Sequence, residues 1–183
     1  MSTKTEATIT ELYHAPENGK AEIVNGEIVL MSPTGKKPNR AGFKISLRLY
    51  EYETSTGSGI AVTDNAGFSV NLPHRKSFSP DAAFYVGKDT GMKFFEGAPV
   101  FAAEVRSEND YGTAAERQIK EKIADYFAAG TMIVWDVDLL GEDVVRVYRK
   151  DNPDQPNVYR RGQIAEAEPA VPGWTMAVDD LFH

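Results

Sequence analysis

The sequence predicts a mixed α/β (α+β) fold, in which helices flank a mixed β-sheet and a β-hairpin stands near the N-terminus. Three observations predict it. Periodic segments follow one another as strands, helix, strands, helix, strands, the order of a sheet with helices packed on it. Hydrophobic residues make up 42% of the 183, enough apolar surface for one domain core. An Asn25-Gly26 pair sits between two short apolar runs, and that dipeptide suits the two-residue hairpin turn in which both residues need positive φ.

Taken in order, residues 1–10 are polar and expected to be flexible, leaving 11–183 as a single domain. AEIVNGEIVLM is the hairpin, with Ile23, Val24, Ile28 and Val29 beside the turn. SPTGKKPN, broken by Pro33, Gly35 and Pro38, reads as a loop. A helix is expected from about Arg40 to Thr54, with Phe43, Leu47 and Tyr50 on one face, and TGSG ends it. IAVTD and GFSVNL are short strands before a turn at Pro73. AAFYV and VFAAEV are two more. The longest helix is expected over 111–129, with Gly130 at the position of a C-terminal cap. MIVWDVD and VVRVYR are strands joined by a turn at Leu140-Gly141, and Trp135 reads as core. The tail, with Pro169, Pro172 and Gly173, is expected to be mostly irregular.

Composition narrows the chemistry. There is no cysteine, which excludes disulfides, zinc–thiolate sites and thiol nucleophiles. His14, His74 and His183 are the only imidazoles and are scattered. Oxygen ligation of a hard divalent cation is therefore the simplest metal chemistry open to the chain. No apolar run approaches the roughly 20 residues of a membrane span, and MSTKTEATIT lacks the apolar stretch of a signal peptide. A cytoplasmic protein without membrane contact is the expectation. The net charge of −7 argues against a broadly basic DNA-coating surface, although a basic face can still be local.

Three charged residues stand where charge is costly. Glu104 lies in PVFAAEVRS, a segment apolar on both faces, as in a central strand. A carboxylate there needs compensation: a metal, solvent at the strand end, or Arg106. Asp81 follows Pro80 and opens AAFYV. Pro-Asp is a common turn pair, so its interest is conditional on Glu104, with which it could share one ion across adjacent strands. Lys122 lies within the helical stripe of Ala115, Ile119, Ile123, Tyr126 and Phe127. It either snorkels to an edge or meets buried carboxylates. Together these residue types suit phosphodiester hydrolysis: carboxylates for magnesium, with manganese as a substitute, and an ammonium for a water or for developing charge. Lys36, Lys37 and Arg40 form a small basic cluster, read first as a solvated loop and second as a phosphate contact. Trp174 could stack on bases.

These segments, in this order and spacing, resemble the Uma-two family of restriction endonucleases, long grouped as a domain of unknown function and related to the PD-(D/E)XK nucleases. The likeness runs from AEIVNGEIVLMSPTG through Pro80-Asp81, PVFAAEVRS, KIADYFAAG and MIVWDVD to PGWTMAVDDLF, roughly residues 11 to 182. It implies a restriction-endonuclease-like sheet flanked by helices, a magnesium-dependent site, DNA as substrate and partner, and a homodimer. No organic cofactor is implied. By position, Asp81 matches the PD aspartate and Glu104 the acidic residue of the second motif. Arg106 stands where the lysine usually follows, and Lys122 matches a lysine moved to the next helix. Glu22 matches a glutamate of the family's hairpin. Family members often carry a histidine after MSPTG. Here Asn39 is the nearest candidate, which leaves open a nuclease-fold protein that binds nucleic acid, or regulates, without cutting. A carboxylate-pair glycosidase would leave Lys122 without a role.

Overall fold

The computed structural model describes residues 5–15 and 19–182. The expected flexible segment 1–10 falls partly outside them, and its described end is ordered. Thr8 caps a short helix, α1 (Ile9–Tyr13), in a capping box with Glu11. Strands β1 (Ala21–Val24) and β2 (Glu27–Leu30) form the hairpin, with Asn25 at φ 52° and Gly26 at φ 75° as the turn demands.

Helix α2 (Lys36–Thr56) begins four residues earlier than expected, taking in part of the predicted loop. Pro38 falls in its first turn, where a missing N–H breaks no intrahelical bond. Its buried residues are Ala41, Gly42, Ile45, Ser46 and Leu49, whereas Phe43, Leu47 and Tyr50 share a face that points outward, each more than 40% exposed. Both sets recur at helical spacing, so periodicity alone did not identify the inner one.

Short strands follow: β3 (Ile60–Thr63), β4 (Phe68–Ser69), β5 (Ser77–Phe78), β6 (Ala82–Tyr85), β7 (Phe95–Glu96) and β8 (Phe101–Val105). Then come α3 (Thr113–Ala129), β9 (Ile133–Val137) and β10 (Val145–Arg149). Gly130 ends α3 at φ 115°, its N–H bonded back to Phe127. The tail is more regular than the sequence suggested. It contributes β11 (Asn152–Tyr159), β12 (Ile164–Glu166), β13 (Thr175–Ala177) and a 3-10 helix at Val178–Leu181. Its prolines lie mainly between these pieces or on the exposed β11 edge, where a missing donor costs little.

The main sheet has the order β11-β10-β9-β8-β6-β3. Within this sheet only β8 and β9 pair in parallel, and α3 is the crossover between them. One face is covered by α2 and the tail, whose Trp174, Met176 and Leu181 pack with Phe101 and Trp135. Trp135 is fully buried as expected. Trp174 is 5% exposed, which removes it as a base-stacking platform. The other face is covered by α3, where Ile123, Tyr126 and Phe127 meet Phe78, Ala102 and Val134. Glu104 belongs to this second face, two residues beyond Ala102. No helix among the described residues is long and apolar enough to cross a membrane.

Candidate functional site

The site lies where the ends of β6 and β8 meet α3 and the hairpin. The Asp81 N–H donates to Ala103, and the Val105 N–H donates to Asp81 Oδ2 at 2.7 Å. The aspartate is thus fixed against the strand that carries Glu104. Lys122 reaches down from α3, its Nζ 2.9 Å from Glu104 Oε1 and 3.0 Å from Glu22 Oε1. Tyr126, one turn further along α3 and stacked on Phe78, donates its hydroxyl to the same Glu104 oxygen at 2.6 Å. The lysine is therefore clamped between two carboxylates rather than snorkelling.

Asp81 does not contact Lys122. Its Oδ1 pairs at 2.6 Å with Lys20, which also holds Asp64 at 2.9 Å. Lys20 was not singled out in the sequence, although it stands two residues before Glu22 and so projects to the same side of β1. Glu22, suggested by the family likeness, is more central than an accessory. It is almost fully buried, accepts from the Ser79 N–H, and pairs with Arg75 at 2.6 Å. Arg75 in turn donates Nε to Asp125 at 2.8 Å, and Asp125 meets His74 at 2.6 Å. Arg75 and Asp125 gave no signal in the sequence. Arg75 follows a turn, and Asp125 reads as an ordinary helical acid.

Arg106 takes neither role considered for it. Its Nε and Nη2 grip both oxygens of Asp136 at 2.8 and 2.7 Å, and it also binds Glu116. It neither neutralises Glu104 nor stands free for a phosphate. Asn39 sits exposed in the first turn of α2. It lines a cleft of about 180 Å³ with Thr34, Arg40, Phe43, Asp64 and Asp81, facing the site without joining its ion pairs.

The electrostatics follow from burial and crowding. Burial is the largest influence on Glu104 and raises its pKa. Lys122 and Lys20 oppose this, Asp81 and Glu22 add to it, and the balance is upward. Burial would also raise Glu22, but Lys122, Arg75 and the Ser79 N–H outweigh it and hold that carboxyl below its usual range. Lys20 and Lys122 are both desolvated, yet the surrounding carboxylates raise their pKa values. Both lysines are ammonium ions near neutrality. Five carboxylates (Glu22, Asp64, Asp81, Glu104 and Asp125) face three fixed cations (Lys20, Arg75 and Lys122). With all of these ionised, two negative charges remain in a partly buried place, a setting that attracts a divalent cation.

Among the described residues, no cluster of three or more acidic or histidine side chains is arranged to chelate a metal. Zinc, which wants three or four protein ligands, fits poorly. Magnesium and manganese fit better. Magnesium is commonly held by one or two carboxylates and keeps several waters, and Asp81 and Glu104 offer hard oxygens of that kind.

Comparison with known proteins agrees with this architecture. A family model described as "putative restriction endonuclease", Uma2, matches residues 8–179. No curated protein matches the chain. The crystal structure of "a putative nuclease belonging to DUF820" from Anabaena variabilis ATCC 29413 superposes with a TM-score of 0.74 at 18% identity. It covers 96% of this chain and 97% of that one, so the two share a fold. With almost its whole length matched, and with the sheet, helices and hairpin of a nuclease-like fold, the chain belongs to the Uma2 family of restriction-endonuclease-like proteins.

Proposed function

We propose that the chain is a divalent-metal-dependent nuclease that hydrolyses phosphodiester bonds in DNA. The observation that carries this reading is Lys122, held 2.9 Å from Glu104 while Asp81 is fixed on the adjacent strand. Asp81 and Glu104 are the residues that would hold magnesium or manganese. When bound, such an ion supplies Lewis acidity and lowers the pKa of a coordinated water.

The chain's own residues do the rest. The raised pKa of Lys122 makes it a poor general base. Its ammonium donates instead, orienting the attacking water or meeting negative charge on the phosphoryl oxygens. Glu22 and Tyr126 hold that geometry from two sides, so little rearrangement is needed as charge develops.

A second reading, a nuclease-fold protein that binds nucleic acid without cutting it, draws on Lys20, which already supplies a counter-charge to Asp81. Cleavage assays separate the two. Wild type is expected to cut DNA with magnesium or manganese and to stop in chelator, while Asp81→Asn falls by about a hundredfold or more. Equal cleavage by wild type and Asp81→Asn would mean a contaminating enzyme and remove the proposal. DNA binding without any metal-dependent cleavage would favour the second reading.

A further inference from the structure

From Lys36 to Tyr50 the sequence holds five cations (Lys36, Lys37, Arg40, Lys44 and Arg48) and no carboxylate, in a chain whose net charge is −7. Arg48 is engaged by Glu51 and Asp180. The other four have no carboxylate partner among the described residues. The same exposed side of α2 carries Phe43, Leu47 and Tyr50, at 48%, 44% and 54% exposure. Arg40 lies over the Phe43 ring at 5.2 Å. Arg40 and Phe43 also line the cleft that ends at Asp81. A run of unpaired cations interleaved with open aromatic rings thus leads directly into the candidate active site.

We infer that this face of α2 is a track for an unpaired nucleic-acid strand, with Phe43 stacking a base at the mouth of the Asp81 cleft and Lys36, Lys37 and Arg40 meeting phosphates. The inference rests on the nuclease reading and deepens it by naming the substrate form. Two arguments favour a single strand over a duplex. A phenyl face stacks on a base only where that base is unpaired or terminal, because bases inside a duplex are already stacked on both sides. The cleft, at about 180 Å³, is on the scale of a single base rather than of a double helix. From Lys36 to Lys44 the helix runs about 12 Å at about 1.5 Å per residue, enough to meet about two successive phosphates of an extended strand. A positively charged groove with aromatic stacking platforms is how single strands are held without sequence preference.

The test is fluorescence anisotropy in chelator, where no cutting occurs. It compares a labelled single-stranded oligonucleotide with its duplex across a salt series. Wild type should prefer the single strand. Phe43→Ala, at an exposed position that leaves the core intact, should weaken single-strand binding roughly tenfold or more and leave duplex binding unchanged. Reversing Lys36, Lys37 and Arg40 to Glu should reduce the slope of log affinity against log salt by roughly 2. Unchanged single-strand binding by Phe43→Ala, or a wild type that prefers duplex, overturns the inference even if metal-dependent cleavage is found. Sedimentation showing self-association that Phe43→Ala or Leu47→Ser abolishes would overturn it too, because the face would then be covered by a second copy. Single-strand binding that depends on Phe43 in a protein that never cuts would uphold the track and refute the nuclease reading.

Discussion

Lys122→Met is expected to lower single-turnover cleavage by about a hundredfold or more while the protein stays folded. Methionine keeps most of the side-chain volume and removes the charge. Glu104 then keeps the Tyr126 hydroxyl, and Glu22 keeps Arg75 and the Ser79 N–H. Because each carboxylate retains a partner, the stability cost should be about 1.5–3 kcal/mol, the range for a lost charged hydrogen bond, read by chemical denaturation. Lys122→Arg should not restore the rate, since a planar guanidinium cannot replace a compact ammonium between two carboxylates. Calorimetric titration with manganese should still show binding, because the proposed ligands Asp81 and Glu104 remain. A variant that cleaves at the wild-type rate would show that Lys122 serves only to neutralise its neighbours.

Arg75→Met should be the most destabilising single change in the site, by about 3–5 kcal/mol at neutral pH. Arg75 is 6% exposed and links two carboxylates from distant parts of the chain, Glu22 on β1 and Asp125 on α3. Removing it leaves Asp125 with His74 alone and takes one of two cations from Glu22, which keeps Lys122 and the Ser79 N–H, in a place water reaches poorly. Arg75→Lys should recover only part of the loss, because one ammonium cannot reproduce the separate Nε and Nη1 bonds. The pH dependence has a definite sign. The pKa of Glu22 is lowered in the fold, so its pairing stabilises above the ordinary carboxylate range and the gain is lost as pH falls through the folded value. The gap between wild type and Arg75→Met should therefore narrow on acidification. A gap of constant size from neutral to acid pH would mean that Arg75 contributes packing rather than charge.

Much of the fold was legible because local chemistry and periodicity carry it. The Asn25-Gly26 turn, the apolar strand of Phe101–Val105 and the α3 stripe ending at Gly130 each follow from backbone preference or side-chain alternation within a few residues. One of the site's acids, Glu104, was legible for a related reason. A carboxylate in a strand with two apolar faces stands out against its own surroundings, whereas Asp81, after a proline in a common turn pair, drew interest only through Glu104.

The inner face of α2 was different. Ala41, Ile45 and Leu49 recur as regularly as Phe43, Leu47 and Tyr50, and only packing against the sheet selects the first set. A Cβ added at Gly42 would meet the Asp81 carbonyl oxygen at 3.4 Å and its Cβ at 3.5 Å, so the inner face of the helix sits at ordinary contact distance from the start of β6. Chain order and local pattern by themselves determined the hairpin, most of the main sheet and the two long helices, and marked Glu104 and Lys122 and, through Glu104, Asp81. Tertiary structure alone decided their partners: Lys20 beside Asp81 across 61 positions, and Arg75 bridging Glu22 and Asp125 across 53 and 50. Ion pairs of that reach leave no periodic trace, because the attraction depends on separation in space and the chain sets that separation only once it has folded.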